Sequence, residues 1–330
     1  MTRPALLDRL PATPPALMRR LAIAAVVAQI AIAVTGSVVR VTGSGLGCPT
    51  WPQCQGGSLV PVPHSEIAAL HQWVEFGNRL IAVVVVLVSA ACLLAALGIR
   101  PRRRRLIWLA AALPLGVVAQ AVIGGITVLV GLAWWSVMPH FLASIVLVWL
   151  AVELAGESRG GGPTTPVVSR PVRALVAVST VVLGALLVAG TLVTAAGPHA
   201  GDAATPRLDL SVAGLAQLHA DLLFGYLGLV IGLGFTLWAT GAPAPLRRRY
   251  GWLVAAVLAQ GALGGIQYAL GVPEALVSLH VLGAALVTAA AAAVWTATRG
   301  PVAAPATVAG DGPAAADRPL AEASASTETS

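Results

Sequence analysis

His71, Glu75 and Asn78 stand at i, i+4 and i+7 in the stretch His-Gln-Trp-Val-Glu-Phe-Gly-Asn-Arg, which leads into the apolar run Leu80 to Leu97. At helical pitch the three share one face. An ionisable group inside a membrane span is expensive to keep, which makes Glu75 a candidate for accepting a proton or orienting a water. Two plainer readings stand beside it: an ion pair with Arg79 at i+4, or a helix that starts at the water boundary. His140, His219 and His280 lie near the heads of later apolar runs. Two imidazoles facing each other across a bundle can ligate one haem iron from both sides, whereas a lone membrane histidine usually hydrogen-bonds a neighbouring helix. Cys48 and Cys54 bracket Pro-Thr-Trp-Pro-Gln. That spacing suits a structural disulfide outside the cytoplasm and a thiol-exchange pair about equally. Arg40 and Arg79, near the outer ends of their spans, are placed to pair with a haem propionate or to snorkel to the interface.

The elements that must position these groups are membrane helices. The chain is 57% hydrophobic and only 10% charged, and its apolar runs reach the length that crosses a bilayer. Eight spans are expected: Leu21 to Val41, His71 to Leu97, Leu106 to Val130, Val137 to Leu154, Ala174 to Ala195, Val212 to Thr240, Gly251 to Leu270 and Ala275 to Thr298. The first lacks a small-residue cleavage site and reads as a retained span. The net charge of +7 comes entirely from arginine, clustered at Arg19 and Arg20, Arg102 to Arg105, Arg159 to Arg173, Arg247 to Arg249, and Arg299. All these clusters fall on one side of the eight spans. The positive-inside rule makes that side cytoplasmic, puts both termini inside, and gives the arginines a topological role rather than a nucleic-acid one. The loops carrying Cys48, Cys54, His64, His199 and Asp202 are then outside. Cys92, alone in an apolar run, reads as a small core residue, and Glu153 as a hydrated acid at a cytoplasmic helix end.

The halves repeat. Ala119-Gln120-Ala-Val-Ile-Gly124-Gly125-Ile126 matches Ala259-Gln260-Gly-Ala-Leu-Gly264-Gly265-Ile266 at an offset of 140, and the same offset carries His140 onto His280. Gly36-Ser-Val-Val39 matches Gly190-Thr-Leu-Val193 more weakly. With one added residue, Glu75 and Asn78 fall on Ala216 and His219. An even number of spans per half makes this a parallel repeat. The fold expected is an all-α integral membrane protein of eight transmembrane helices in two pseudo-symmetric four-helix bundles. Its divisions are a cytoplasmic segment 1–20, a bundle over 21–155, a flexible cytoplasmic linker over 156–173 rich in Gly and Pro, a second bundle over 174–298, and a disordered cytoplasmic tail over 299–330. The glycine pairs at 124–125 and 264–265 read as sites of close helix packing. Where the second half offers His219 and His280 as a ligand pair, the first offers His140 opposite Asn78, a poor iron ligand, with His71 two turns nearer the outside. One coordination position there is open, weakly held or served by His71.

These residues resemble the haem A synthases of bacterial membranes and mitochondria. The likeness covers about residues 20 to 298. It rests on Arg40-Val-Thr-Gly-Ser-Gly-Leu-Gly-Cys48, on Glu75-x-x-Asn78-Arg79, on Gly197-Pro-His-Ala-Gly-Asp202, and on the histidines of spans four, six and eight. The resemblance implies an oxidoreductase of the plasma membrane that converts the C8 methyl of haem O to a formyl group by successive hydroxylations and loss of water. It implies a haem b cofactor on His219 and His280, substrate haem O on His140, Glu75 as the catalytic carboxylate, and a Cys48–Cys54 disulfide. Haem O synthase and an electron-transfer protein are the partners it suggests. Many members carry His where this chain has Asn78. The competing classes are a diheme electron carrier and a transporter.

Overall fold

The computed structural model describes residues 11–63, 66–160 and 164–301. Eight helices follow one another: α1 (Pro15–Val41), α2 (Ala69–Gly98), α3 (Arg104–Leu129), α4 (Trp134–Glu157), α5 (Arg170–Ala196), α6 (Val212–Ala239), α7 (Ala244–Ala269) and α8 (Glu274–Ala297). Each is long and apolar enough to cross a bilayer, so the chain is a multi-pass helical membrane protein.

All eight expected spans are present, but α1, α5 and α7 start one to two turns ahead of their apolar boundaries. The arginines there end the hydropathic run without ending the backbone hydrogen bonding. Pro15, Pro171 and Pro245 lie in the first turns, where a missing N–H costs nothing.

Buried side chains fall into two clusters. One gathers Met18, Val85, Cys92, Leu106, Leu113 and Leu154 from α1 to α4. The other gathers Val176, Leu183, Tyr226, Leu233, Leu253 and Val287 from α5 to α8. In the first half every sequential pair of helices packs closely and α1 closes on α4. In the second, the hairpins α5–α6 and α7–α8 are tight within themselves but meet each other sparsely. The halves join through α8, which lies against α1 and α4.

The helix ends repeat as well. After α3, Gly131 and Leu132 take positive φ, and Leu132 N–H bonds the Thr127 carbonyl at 2.9 Å; after α7, Gly271 and Val272 do the same onto Gln267, also at 2.9 Å. A β-branched valine at φ 64° is costly, which shows how strongly the turn is imposed by its surroundings.

At the arginine-rich end, the linker differs from a free connection. Thr164–Pro166 (β1) pairs antiparallel with Arg299–Pro301 (β2), and Val167 N–H bonds the Thr298 carbonyl at 2.9 Å. The end of α8 arrives beside the linker and supplies partners that composition does not reveal. Glu153 likewise is paired rather than hydrated: it accepts from Arg105 at 2.6 Å and from Trp149 Nε1 at 3.1 Å, because the first turn of α3 stands beside the last turn of antiparallel α4. Residues 1–10, His64 and the tail beyond 301 lie outside the described residues.

Candidate functional site

His219 and His280 enter the second half from the third turn of α6 and the second turn of α8, on the two hairpins that meet sparsely. Their ring centroids are 6.4 Å apart, with planes inclined at 57°. Two imidazoles sharing one metal ion, each nitrogen about 2 Å from it, have centroids about 6 Å apart. His219 Nδ1 is 3.0 Å from the Leu186 carbonyl on α5, which leaves Nε2 as its free ring nitrogen. Among the described residues no three His, Cys, Asp or Glu side chains converge on a metal-ion site.

Each ring lies over a glycine. A methyl added at Gly190 on α5 would stand 3.0 Å from His219 Cε1, one at Gly264 on α7 would stand 3.1 Å from His280 Cε1, and one at Gly124 on α3 would stand 3.1 Å from His140 Cε1. Gly124 and Gly264 therefore clear imidazoles, which refines their reading as helix-packing residues. Gly125 does a different task and makes room for the Trp51 indole of the cysteine loop. The constant glycine-to-histidine pairing was available in the repeat, since Gly124 and His140 share the 140-residue offset of Gly264 and His280.

In the first half, His140 repeats the placement of His280. Gln120 Nε2 donates to the His140 carbonyl at 2.8 Å, as Gln260 Nε2 does to that of His280 at 2.9 Å. Asn78 takes the place of His219, but its Oδ1 accepts from Thr35 Oγ1 on α1 at 2.8 Å, so its amide is tied to the neighbouring helix. A Cβ at Gly36, the counterpart of Gly190, would meet nothing within 4 Å.

Glu75 is buried, at 5% exposure, and is fully engaged. Its Oε2 accepts from the Cys48 N–H at 2.7 Å and its Oε1 from Arg79 at 2.7 Å, the i+4 ion pair open to it from the sequence. Arg79 also donates to the carbonyls of Cys48, Thr50 and Gln53 at 3.0 Å and of Pro52 at 3.3 Å. Cys48 and Cys54 form a disulfide, and both are fully buried. The loop they close is therefore bolted to α2 by Glu75 and Arg79 and to α3 by Trp51. His71 anchors the preceding segment, with Nδ1 2.8 Å from Ser44 Oγ. Gly47 lies so close to the backbone of His71 that no side chain fits.

Arg40 reaches across to the second half, donating to the Thr194 carbonyl on α5 at 3.0 Å. Beside it Gly45 N–H bonds the Gly201 carbonyl at 3.0 Å, with Leu132 packed against both glycines. The motifs Arg40 to Cys48 and Gly197 to Asp202, far apart in sequence, thus meet where the halves join. His199 turns to the Val272 carbonyl at 2.8 Å and ties the α5–α6 loop to the α7–α8 turn within the second half.

These features define a class: an eight-helix membrane protein with a duplicated histidine-bearing bundle, two imidazoles opposed in one half and His140 with a clamped carboxylate in the other. The sequence model of the cytochrome oxidase assembly protein family, COX15-CtaA, matches residues 19–209, and the chain belongs to that family. The match includes His71, Glu75, Asn78, His140 and the disulfide loop and ends before α6. The chain is also similar to the heme A synthase of Geobacillus kaustophilus, 36% identical over 110 residues, which are 32% of each chain. To the heme A synthase of Geobacillus thermodenitrificans it is 42% identical over 53 residues, 16% of this chain and 15% of that one. These alignments thus span a third or less of the curated relatives.

Proposed function

We propose that this protein is a haem A synthase: an oxidoreductase that oxidises the C8 methyl of haem O to a formyl group by successive hydroxylations, the resulting geminal diol losing water. The observation that carries the reading is the asymmetry of the repeat. One half opposes two imidazoles at 6.4 Å, and the other retains only His140 and gains a buried carboxylate, Glu75, one turn from the substituted position Asn78. A saturated site beside an incomplete one is the division expected of a cofactor and a substrate. Family membership and the names of the two relatives support the same conclusion.

In this reading His219 and His280, on hairpins that meet each other sparsely, would hold haem b. When bound, haem supplies one-electron and oxygen chemistry that side chains lack. His219, with Nδ1 on the Leu186 carbonyl, presents Nε2 to iron in a single tautomer. His140 holds haem O in the first half. Glu75 is aimed by Cys48 N–H and Arg79 and keeps or moves a proton at its carboxylate oxygens, while the disulfide loop, seated on α2 and α3, limits water at that end. The arginine-rich end, with both termini, faces the cytoplasm of a plasma-membrane protein. Haem O synthase and an electron-transfer protein are its partners.

The test is extraction and chromatography of haems from cells that express this chain together with a source of haem O. Formyl-bearing haem is expected, and its absence from cells that contain folded protein and haem O overturns the assignment. Glu75→Gln, which leaves an acceptor for Cys48 N–H, should retain bound haem and lose the formyl product; normal product removes Glu75 from the reaction.

A further inference from the structure

The Ala-Gln motif at 119–120 and 259–260 is the part of the repeat that ligand assignment leaves unused. Its glutamines make the same backbone contact in the two halves, and Gln120 Nε2 donates besides to Ser144 Oγ, where the second half has Ala284. Gln120 reaches from α3 to the backbone carbonyl of His140, and Gln260 from α7 to that of His280, each with its Nε2. The other end of each amide is an orphan: Oε1 of Gln120 and Oε1 of Gln260 are buried and have no hydrogen-bond partner. So are Nδ1 of His140 and Nδ1 of His280. In both halves, then, a buried acceptor and a buried ring nitrogen lack partners on two residues already joined through one carbonyl.

A buried polar atom without a partner costs roughly 1–3 kcal/mol, and the same pair of orphans twice, at a fixed sequence offset, is not an accident of packing. Space around Gln260 is also reserved. A Cβ at Gly283, one turn beyond His280, would collide with Gln260 Oε1. His219 shows what the arrangement lacks elsewhere, because its Nδ1 already has an acceptor in the Leu186 carbonyl.

We infer that Gln120 and Gln260 are positioning residues for His140 and His280. The Oε1 of each glutamine accepts the ring Nδ1–H, directly or through one water, when Nε2 binds iron. An imidazole whose Nδ1–H is held by an acceptor is oriented, locked in one tautomer and made more basic, and the acceptor sets how strongly the site favours ferric over ferrous iron. Gln260 does for His280 what Leu186 does for His219, and Gln120 does it for His140 in the first half. The inference rests on the assignment of His219 and His280 as haem ligands.

The experiment measures the reduction potential and the low-spin spectrum of the purified, haem-loaded protein and its Gln260 variants. Gln260→Leu removes the acceptor at similar volume and should raise the potential. Gln260→Glu offers a stronger acceptor and should lower it. Each change should be roughly tenfold in relative affinity for the two oxidation states, or ~59 mV for one electron. Opposite signs are the signature, since a glutamine that only braces α7 against α8 would shift both variants the same way or neither. Unchanged potentials, or shifts of one sign, overturn the inference while leaving the ligands intact. If Gln260→Leu is recovered without haem, Gln260→Glu decides alone, and a potential equal to or above that of the unsubstituted protein overturns the inference. A preparation of the unsubstituted protein with no bis-imidazole haem overturns both this inference and the ligand assignment beneath it.

Discussion

Replacing Arg79 with Leu should expose the Cys48–Cys54 disulfide to reductant. Both sulfurs are inaccessible, at 0% exposure, so thiolate attack requires the loop to open. Arg79 bonds four loop carbonyls and Glu75, so it supplies much of what keeps the loop shut. Its loss also strands the Glu75 carboxylate, whose side chain is 6% exposed. Breaking a buried ion pair costs ~3–5 kcal/mol. The Arg79 side chain is 22% exposed, and solvent screening brings the figure to the lower end, about 3 kcal/mol. At 1.4 kcal/mol per decade, the open population and the reduction rate should both rise on the order of 100-fold. The assay is alkylation of released thiols against time in dithiothreitol, read by mass spectrometry. Glu75→Gln retains an acceptor for Cys48 N–H but loses the charge, and should accelerate reduction only several-fold, about 1 kcal/mol. The double variant should be reduced more slowly than Arg79→Leu alone, because no uncompensated carboxylate remains. A rate for folded Arg79→Leu within threefold of the unsubstituted protein, or a double variant that is simply additive, refutes the clamp.

Two further outcomes follow from the glycines. Gly190→Ala places a methyl 3.0 Å from His219 Cε1 and should lower bound low-spin haem several-fold, whereas Gly36→Ala meets nothing within 4 Å and should keep haem and gain ~0.5–1 kcal/mol of helix stability. Equal haem content in the two variants counts against the ring-clearing role. Gly47→Ala would set Cβ against the His71 carbonyl, which as backbone cannot rotate aside; the thermal-inactivation midpoint should drop by several degrees for a cost of roughly 1–3 kcal/mol, and an unchanged midpoint contradicts the contact.

Much of the architecture could be read without coordinates. Bilayer crossing demands long apolar helices, so hydropathy located all eight, and it missed the first turns of α1, α5 and α7 only because arginine stops an apolar run without stopping a helix. The fixed offset between Gln120-Gly124-His140 and Gln260-Gly264-His280 signalled two like bundles. Linker strand β1 and the pairing of Glu153 were not legible, since each depends on which helix end arrives alongside.

The candidate site divides the same way. The sequence alone determined which residues are candidates for chemistry, because a membrane tolerates few ionisable groups and a duplication leaves equivalent positions countable. Only the tertiary structure decided what those residues touch. It set His219 and His280 6.4 Å apart, gave Arg79 to the loop carbonyls and Arg40 to the junction of the halves, and buried Glu75 under the disulfide loop. The reason is physical: periodicity assigns a side chain to a face of its own helix, while its partners are set by how helices distant in sequence pack and by where the loops between them can reach.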